Sequence, residues 1–580
     1  MDGDQSASIP ADRYHKADPR PRWTNGRPYR KLQPEEIRLL AVSPVTTDLD
    51  LPLKCTLETY ALSTAPTFAA LSYTWGSPLR NIEELRKQAA RSTSQVHCNG
   101  KEAHIGQNLY DFLLHHAYEQ TAGRYLWIDA LSINQDDVEE RSEQVTLMGA
   151  IYQKANEVLV WLGPEDHLTE SAISLLQRVV ILDEADRSAL HPADASTHHS
   201  DPLLNLRNWR ALTLFFQREW FRRTCTLISE GTRTLGQNTP ARLAAAKKTW
   251  KSGHDSKFLY ALIRARPSES EDLRDKVYSQ LGLGDADIFP DYKASVGDVY
   301  TVAARYILEH SESLFLLTCV EGEEFQKVPG LPSWVPDWSV SKTISLRVTG
   351  YPDYHAALQI PKRQTIFTDE AGKHVLSIEA TKLDDIVDIC ESKGPLHNNL
   401  HTSCLWDMIA KLDPMYAAAP EEPQSQYPAS CETFGPSFKE WVLWRYVSAS
   451  DEPTTFPHAS SDNKFVPTRL EIEDARQKSR SDATYVADLK RRGSRYDLIY
   501  SHAMLLRPFC TKNGYFGIGT LCLRKGDSLW IAPGCPVPLI LRLIEGSERY
   551  RLVGGSYVHG FMNGEILKRP GLEFSMVNLE

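Results

Sequence analysis

Nowhere in this chain of 580 residues do about 18 uncharged apolar side chains run together, so no segment reads as a membrane-spanning helix. The N-terminus, MDGDQSASIPADRYHKADPRPRW, also lacks the apolar core of a secretory signal. Its ten cysteines lie far apart, with no CxxC pair and no Cys/His cluster at zinc spacing, which argues against both a disulfide framework and a structural metal site. A reducing compartment fits, and the sequence predicts a cytoplasmic protein, a nuclear one being the alternative, with a disordered leader. Block-like runs of Lys and Arg are missing too. The formal charge is −10, from 65 basic and 75 acidic side chains, so a phosphate-tracking surface for nucleic acid is not expected. There is no tandem repeat and no GxSxG nucleophile motif.

What the chain does have is length enough for two or three domains and a series of short apolar runs. FAALSY at 68–73 stops at Thr74, Trp75 and Gly76, as a buried strand ending in a turn would, and is read as the first strand. In QNLYDFLLHHAYEQ, Leu109, Phe112, Leu113 and Ala117 recur at helical spacing. Tyr125 to Ile128 is the next apolar run, and it ends on Asp129. Asp137, with Glu140 three residues on, has the spacing of a capping box; Val145, Met148, Ile151, Tyr152 and Ala155 would form the buried stripe of the helix that follows. EVLVWLG at 157–163 is a further β-rich run. The order βαβαβ predicts a parallel sheet, with the ends Tyr73 to Gly76, Asp129 and Gly163 on its carboxyl edge, where open α/β sheets bind ligands. His97 and Cys98 before Asn99-Gly100 suggest a hairpin-like turn rather than a metal site.

Beyond a helical segment near 168–183, the tract EADRSALHPADASTHHSDP reads as a surface insertion, and LRNWRALTLFFQREWFRRTCTLI as helical again. Residues 240–320 look helical, with a break at 290–292. The polar tracts near 417–428 and from Ser448 to about Asp482 read as loops or linkers. From 514 onward, β-rich runs separated by Gly, Asp and Pro suggest a small antiparallel sheet or barrel.

Three segments together, FAALSYTWG (68–76), LWIDALSINQDDVEERSEQVTLMGAIYQKANEVLVWLG (126–163) and REWFRR (218–223), resemble the fungal heterokaryon-incompatibility (HET) domain over about 160 residues. DLRDKVYSQLGL (272–283), PDY (290–292), LPSWVPDWS (331–339) and the C-terminal PGCPVPLILR and YRLVGGSYVHGFMNGE resemble the remainder of full-length HET proteins. The expected layout is a leader over 1–35, the HET domain over 36–235, a helical region over 236–325, mixed α/β with polar loops over 326–500 and a β-rich region over 501–580. The resemblance implies a role in non-self recognition, where incompatible proteins meeting in a fused cell trigger growth arrest or death. Its partners would be other incompatibility proteins, with self-association through the HET domain, and neither nucleic acid nor membrane.

HET domains are similar in pattern to TIR domains, flavodoxin-like modules that in some branches cleave NAD at its nicotinamide glycosidic bond. The resemblance implies no bound cofactor, NAD entering as a substrate, and no metal. Such cleavage passes through an oxocarbenium-like sugar that a carboxylate stabilises. Laid ungapped on REWFRRTCTLISE, the family's tryptophan and Gln-Glu pair fall on Cys225, Ile228 and Ser229, so the nearest catalytic carboxylate is Glu230, one residue off register and about 100° around a helix. Ser132 stands where HET proteins usually carry cysteine. The nucleotide-binding candidates are Ser72, Tyr73, Trp75, Gly76, Asp129, Asn134 and Arg223. Five of these have a structural alternative: Asp129 as an acceptor of loop N–H groups, Trp75 and Gly76 as a packed turn, Asn134 (with Gln135) as a loop-fixing amide, and Arg223 (with Arg222) as solvated surface. Trp220 and Phe221 are expected in the core.

Overall fold

A computed structural model describes residues 20–45, 52–78, 93–118, 124–182, 201–222, 257–340, 354–389, 468–489 and 506–580, apart from a few single positions within them, together with the isolated residue 443. The chain forms two compact units, one from residues up to 253 and from 268–294, the other from 254–267 and 295–580. The architecture is mixed α/β, with a sheet in the first unit, a helical middle and a β-rich C-terminal region.

The first unit is built on eight strands: β1 (Arg22–Trp23), β2 (Glu36–Val42), β3 (Leu53–Ala61), β4 (Phe68–Ser72), β5 (Thr93–Cys98), β6 (Lys101–Gly106), β7 (Tyr125–Trp127) and β8 (Glu157–Val160). Their order across the sheet is β1-β6-β5-β3-β2-β7-β4-β8. β4 runs parallel to β7 on one side and to β8 on the other, with Ala70 opposite both Trp127 and Val158. The three apolar runs at 68–73, 125–128 and 157–163 therefore do lie side by side and point the same way. FAALSY is not the first strand, however, and the sheet is not wholly parallel: β2 pairs antiparallel with both β3 and β7, and β5 and β6 form an antiparallel hairpin. EIRLLAV and LKCTLETYA escaped notice because each mixes charged and apolar residues. β3 alternates buried Leu53, Cys55 and Leu57 with exposed Lys54, Thr56 and Glu58, the period of a strand with one wet face.

The expected turn at Asn99-Gly100 closes that hairpin, both residues having positive φ (49° and 73°) as a type I′ turn requires. The Asn99 side-chain amide bonds the backbone N–H and C=O of Leu57. Cys55 and Cys98 are opposite partners on β3 and β5, and burial pushes both thiols up, Cys98 to about 12, so neither is a thiolate nucleophile.

Two layers cover the sheet. Helix α1 (Gln107–Tyr118) packs Leu109, Phe112, Leu113 and Ala117 onto Leu71, Val96, Ile105 and Ile128. On the other face, α2 (Val138–Lys154) sets Leu147, Met148, Ile151 and Tyr152 against Phe68, Ala70 and Trp127. Asp137 caps α2 as expected, accepting from the Glu140 N–H at 3.1 Å. Glu140 does not complete a capping box. Its carboxylate receives both terminal nitrogens of Arg38 from β2, at 2.6 and 2.8 Å, and the Asn134 N–H at 2.7 Å. Arg38 also donates to the carbonyls of Ser132 and Arg30 and lies over the Tyr29 ring, so this buried pair ties the middle of the sheet to the loop after β7. Within the expected leader, Arg22 and Trp23 pair with β6.

Helices α3 (Thr169–Ile181) and α4 (Leu206–Phe215) pack on one another through Ala172, Leu175, Val179, Trp209 and Leu212. The segment 268–294 rejoins the first unit on α2. Arg141 lies 3.8 Å over the Tyr292 ring and Lys293 pairs with Glu139, while Arg274 bridges Asp272 and the carbonyls of Tyr292 and Ala294.

The second unit carries α5 (Lys257–Ala265), α6 (Val296–His310) and strands β9 (Gln364–Thr368), β10 (His374–Ile389), β11 (Leu506–Thr511), β12 (Phe516–Thr520), β13 (Ser528–Ile531), β14 (Leu539–Leu543), β15 (Tyr550–Gly555), β16 (Tyr557–Val558) and β17 (Ser575–Leu579). β10 pairs with both β13 and β17, so β10-β13-β14-β15-β17 close into a ring. In the same unit, Arg266 and Glu321 form a second buried ion pair, and Asp337 of the Trp-Val-Pro-Asp-Trp run accepts from the Lys327, Val328 and Ser339 N–H groups. The linker expected up to about Asp482 instead ends in helix α7 (Arg469–Ser481), which has a Thr468/Glu471 capping box and ion pairs Arg469–Glu473 and Asp474–Lys478. Only Ile472 and Ala475 are buried, too few for a visible apolar period. The 417–428 tract and most of the 184–202 insertion lie outside the described residues.

Arg38→Met strands a buried carboxylate and is expected to cost about 3–5 kcal/mol, whereas Arg38→Met with Glu140→Leu should recover most of that loss. Amide hydrogen exchange across residues 36–42 and 125–127 reads both, and unchanged protection in the single variant would show that the pair does not hold the sheet.

Candidate functional site

The parallel core brings the ends of β4, β7 and β8 to one edge, and side chains from four further segments converge there. Trp75, three residues past β4, donates its indole N–H to Asp129 Oδ2 at 3.0 Å. Asp129 Oδ1 accepts the Ala130 N–H, and the Asp129 carbonyl accepts from the Gln135 amide at 2.8 Å. The apolar run Tyr-Leu-Trp-Ile ends on a carboxylate because that carboxylate fastens the loop of one strand to the loop of its neighbour.

Asn108, buried in the first turn of α1, donates to the Thr74 carbonyl at 2.7 Å and accepts the Trp161 indole N–H at 2.9 Å, which joins the β4 and β8 ends. Ser72 accepts the Trp220 indole N–H at 3.0 Å. Tyr73 is buried in the α1-side core, and Gly76 is exposed in the turn. Asn134 places its backbone N–H on Glu140, as described above. Six of the eight candidate residues, Ser72, Tyr73, Trp75, Gly76, Asp129 and Asn134, thus come to one edge; Arg223 and the catalytic candidate Glu230 lie outside the described residues. Trp220 and Phe221 are buried, as expected.

Arg218 was missed within the very motif, REWFRR, that drew notice to Arg222 and Arg223. It is buried and donates to the carbonyls of Leu162 and Pro164 at 3.1 and 3.2 Å, to Asp166 at 3.2 Å and to the Thr169 hydroxyl at 2.9 Å. Its role is to collect the carbonyls that β8 leaves as the chain turns at Gly163. That turn needs glycine: φ is +96°, and a Cβ there would come within 2.5 Å of Pro78. Burial alone would raise the Asp166 carboxyl, but the bonds from the Leu168 N–H and the Thr169 hydroxyl, with the Arg218 charge, hold it below the usual aspartate value. Asn108 was hidden in an apolar helix where nothing but position distinguishes a polar residue pointing inward.

Two buried side-chain oxygens at this edge, Thr74 Oγ1 and Asn134 Oδ1, have no hydrogen-bond partner among the described residues. Among the described residues no three His, Cys, Asp or Glu side chains gather as a metal site would need, and no helix is long and apolar enough to cross a membrane.

Asp129→Ala removes the Trp75 acceptor, a bond to a charged group worth about 1.5–3 kcal/mol, so exchange of the Trp75 indole proton should quicken by roughly tenfold or more. NMR of that proton, assigned through Trp75→Phe, checks it, and an unchanged rate would dissolve the link. Because the Asp166 carboxyl titrates lower folded than unfolded, its contribution is complete above about pH 4, the unfolded value, and is lost as pH falls through the folded one. Amide exchange across residues 162–169 should therefore rise on acidification, and Arg218→Gln should remove only part of the acid dependence, because the bonds from the Leu168 N–H and the Thr169 hydroxyl remain.

The model of the family described as "Heterokaryon incompatibility protein (HET)" matches residues 68–227, and that of the "Het-6 beta-barrel domain" matches residues 461–574. The chain is 24% identical to the Neurospora crassa protein "Heterokaryon incompatibility protein 6, OR allele", over 91% of this chain and 94% of that one. No solved structure matches it. The first family match holds β4, β7, β8 and their stitched ends; the second holds strands of the closed ring; the relative spans both units, and together these matches support a fungal heterokaryon-incompatibility (HET) protein.

Proposed function

We propose that this chain acts in heterokaryon incompatibility, signalling non-self by contacts with other incompatibility proteins rather than by turnover of a small molecule. The observation that carries the mechanism is the bonding at the carboxyl edge. The side chains of Ser72, Trp75, Asn108, Asp129 and Trp161 are tied to one another or to Trp220, an arrangement suited to holding a fixed surface. The buried thiols of Cys55 and Cys98 are equally unsuited to nucleophilic work.

A second reading, NAD cleavage by a TIR-like module with Glu230 as the charge-stabilising carboxylate, draws on the two unbonded oxygens of Thr74 and Asn134, which would suit sugar hydroxyls. Against it, Ser229, which carries no charge to stabilise such a sugar, stands where the family pattern puts that carboxylate.

Induced expression in a fungal host is expected to arrest growth, and the Trp75→Ala/Asp129→Ala variant to relieve the arrest at equal protein level. Purified full chain should release no more nicotinamide from NAD than Glu230→Ala does. Release abolished by that substitution would replace the contact mechanism with the enzymatic one, and arrest that survives loss of the Trp75–Asp129 bond would remove this edge from it.

A further inference from the structure

β14 and β15 set two arginines directly opposite each other: Arg542 is the cross-strand partner of Arg551. Like charges in that position repel and weaken a sheet unless an anion lies between them. The anion here comes from a distant segment. Glu323, in the short 3₁₀ turn Glu323–Phe325, places Oε1 2.7 Å from Arg542 and 2.7 Å from Arg524, and Oε2 2.9 Å from Arg551. One carboxylate therefore serves three guanidiniums, and it comes from outside residues 461–574, which contain all three arginines.

The three arginines are not equivalent. Arg542 is half-buried and has a counterion of its own, Asp527, which it engages through Nε and a terminal nitrogen at 2.8 and 3.0 Å; it also donates to the Cys522 carbonyl. Arg524 and Arg551 are 54% and 51% exposed. Arg551 donates to Glu323 through one terminal nitrogen; Arg524 donates to exposed Glu324 at 3.3 Å through one terminal nitrogen and forms an ion pair with Glu323 through the same atom. Their remaining guanidinium N–H groups have no partner among the described residues. Two planar forks thus flank a single shared carboxylate, each with donors in reserve, the geometry that binds carboxylates and phosphates in pairs of bonds. Burial would raise the Glu323 carboxyl, but the bond from Arg551 and the charges of Arg542 and Arg524 outweigh it and keep Glu323 ionised well into acid.

We propose that Arg524, Arg542 and Arg551 form a receptor for oxyanion groups on an acidic segment of a protein partner, and that Glu323 is the chain's own occupant of it. The partner's carboxylate or phosphate takes the outer donors of Arg524 and Arg551 and competes with Glu323 for the inner ones. Arg542, fastened by Asp527, is the fixed floor of the site. This inference rests on the protein-contact reading above and gives that contact a chemistry.

The test uses the full chain and two fluorescent peptides of equal length, one of glutamates and one bearing phosphoserine, with binding followed by anisotropy at low and high salt. The site predicts saturable, salt-sensitive binding of at least one peptide, with the tighter one naming the group that is read. Arg524→Gln/Arg551→Gln, which leaves the Arg542–Asp527 pair intact, should weaken it by about tenfold or more, and Glu323→Gln, which removes the internal competitor, should tighten it by a similar factor. Binding of neither peptide, or equal binding by wild type and the double arginine variant, overturns the site. Weaker binding by Glu323→Gln overturns the assignment of Glu323 as an occupant and leaves it as a structural tie. These readouts are independent of growth arrest, so loss of the site and loss of the signalling role are separately visible.

Discussion

The first unit depends on one strand having no free edge. FAALS is paired on both sides by parallel neighbours and covered on both faces by helices, so its backbone and side chains are removed from water. A strand in that position is stabilised where most of the polar groups that follow are taken up by protein, because each left bare in the interior, as Thr74 Oγ1 is, costs about 1–3 kcal/mol. The Trp75–Asp129 bond, the Asn108 bridge from Thr74 to Trp161 and the Trp220–Ser72 bond are that requirement met at the ends of three strands.

The same logic explains the two buried ion pairs. Arg38–Glu140 in the first unit and Arg266–Glu321 in the second each add backbone carbonyls to the arginine's acceptors, Ser132 and Arg30 in one case, Cys319 and Asp337 in the other. A buried guanidinium has five donors to satisfy, and one carboxylate takes only some of them. Loops that supply carbonyls at the right place become part of the core. This is why the segment after β7 and the Trp-Val-Pro-Asp-Trp run are buried parts of their units although neither is helix or strand for most of its length.

The elements legible from sequence were those whose pattern had one cause. Leu109, Phe112, Leu113 and Ala117 fall on the buried face of α1 because a helix against a sheet needs an apolar stripe at that period. Asn99-Gly100 turns the hairpin because both positions take positive φ. Illegible elements were those where two demands overlapped. β3 mixes charged and apolar residues because one face is wet while the other is buried, β2 carries a charged residue, Arg38, inside a buried ion pair, and α7 is held by caps and ion pairs rather than by an apolar face. At the candidate edge, the sequence pointed to the strand ends at Tyr73 to Gly76 and Asp129 but not to Arg218 and Asn108, since a polar residue inside an apolar run announces nothing about which way it points.

Local sequence alone determined that residues 68–73, 125–128 and 157–163 are β-runs, that a helix begins at Asp137, and that an aspartate closes the second run, because hydrophobic period and capping chemistry act over a few residues. What Asp129 bonds to, which arginine closes the β8 end, and why Glu323 meets three arginines from residues about 200 positions away were decided only by the tertiary structure. Hydrogen bonds and charge pairs act through distances of about 3–4 Å, and which groups come that close is a property of the folded chain, not of their spacing along it.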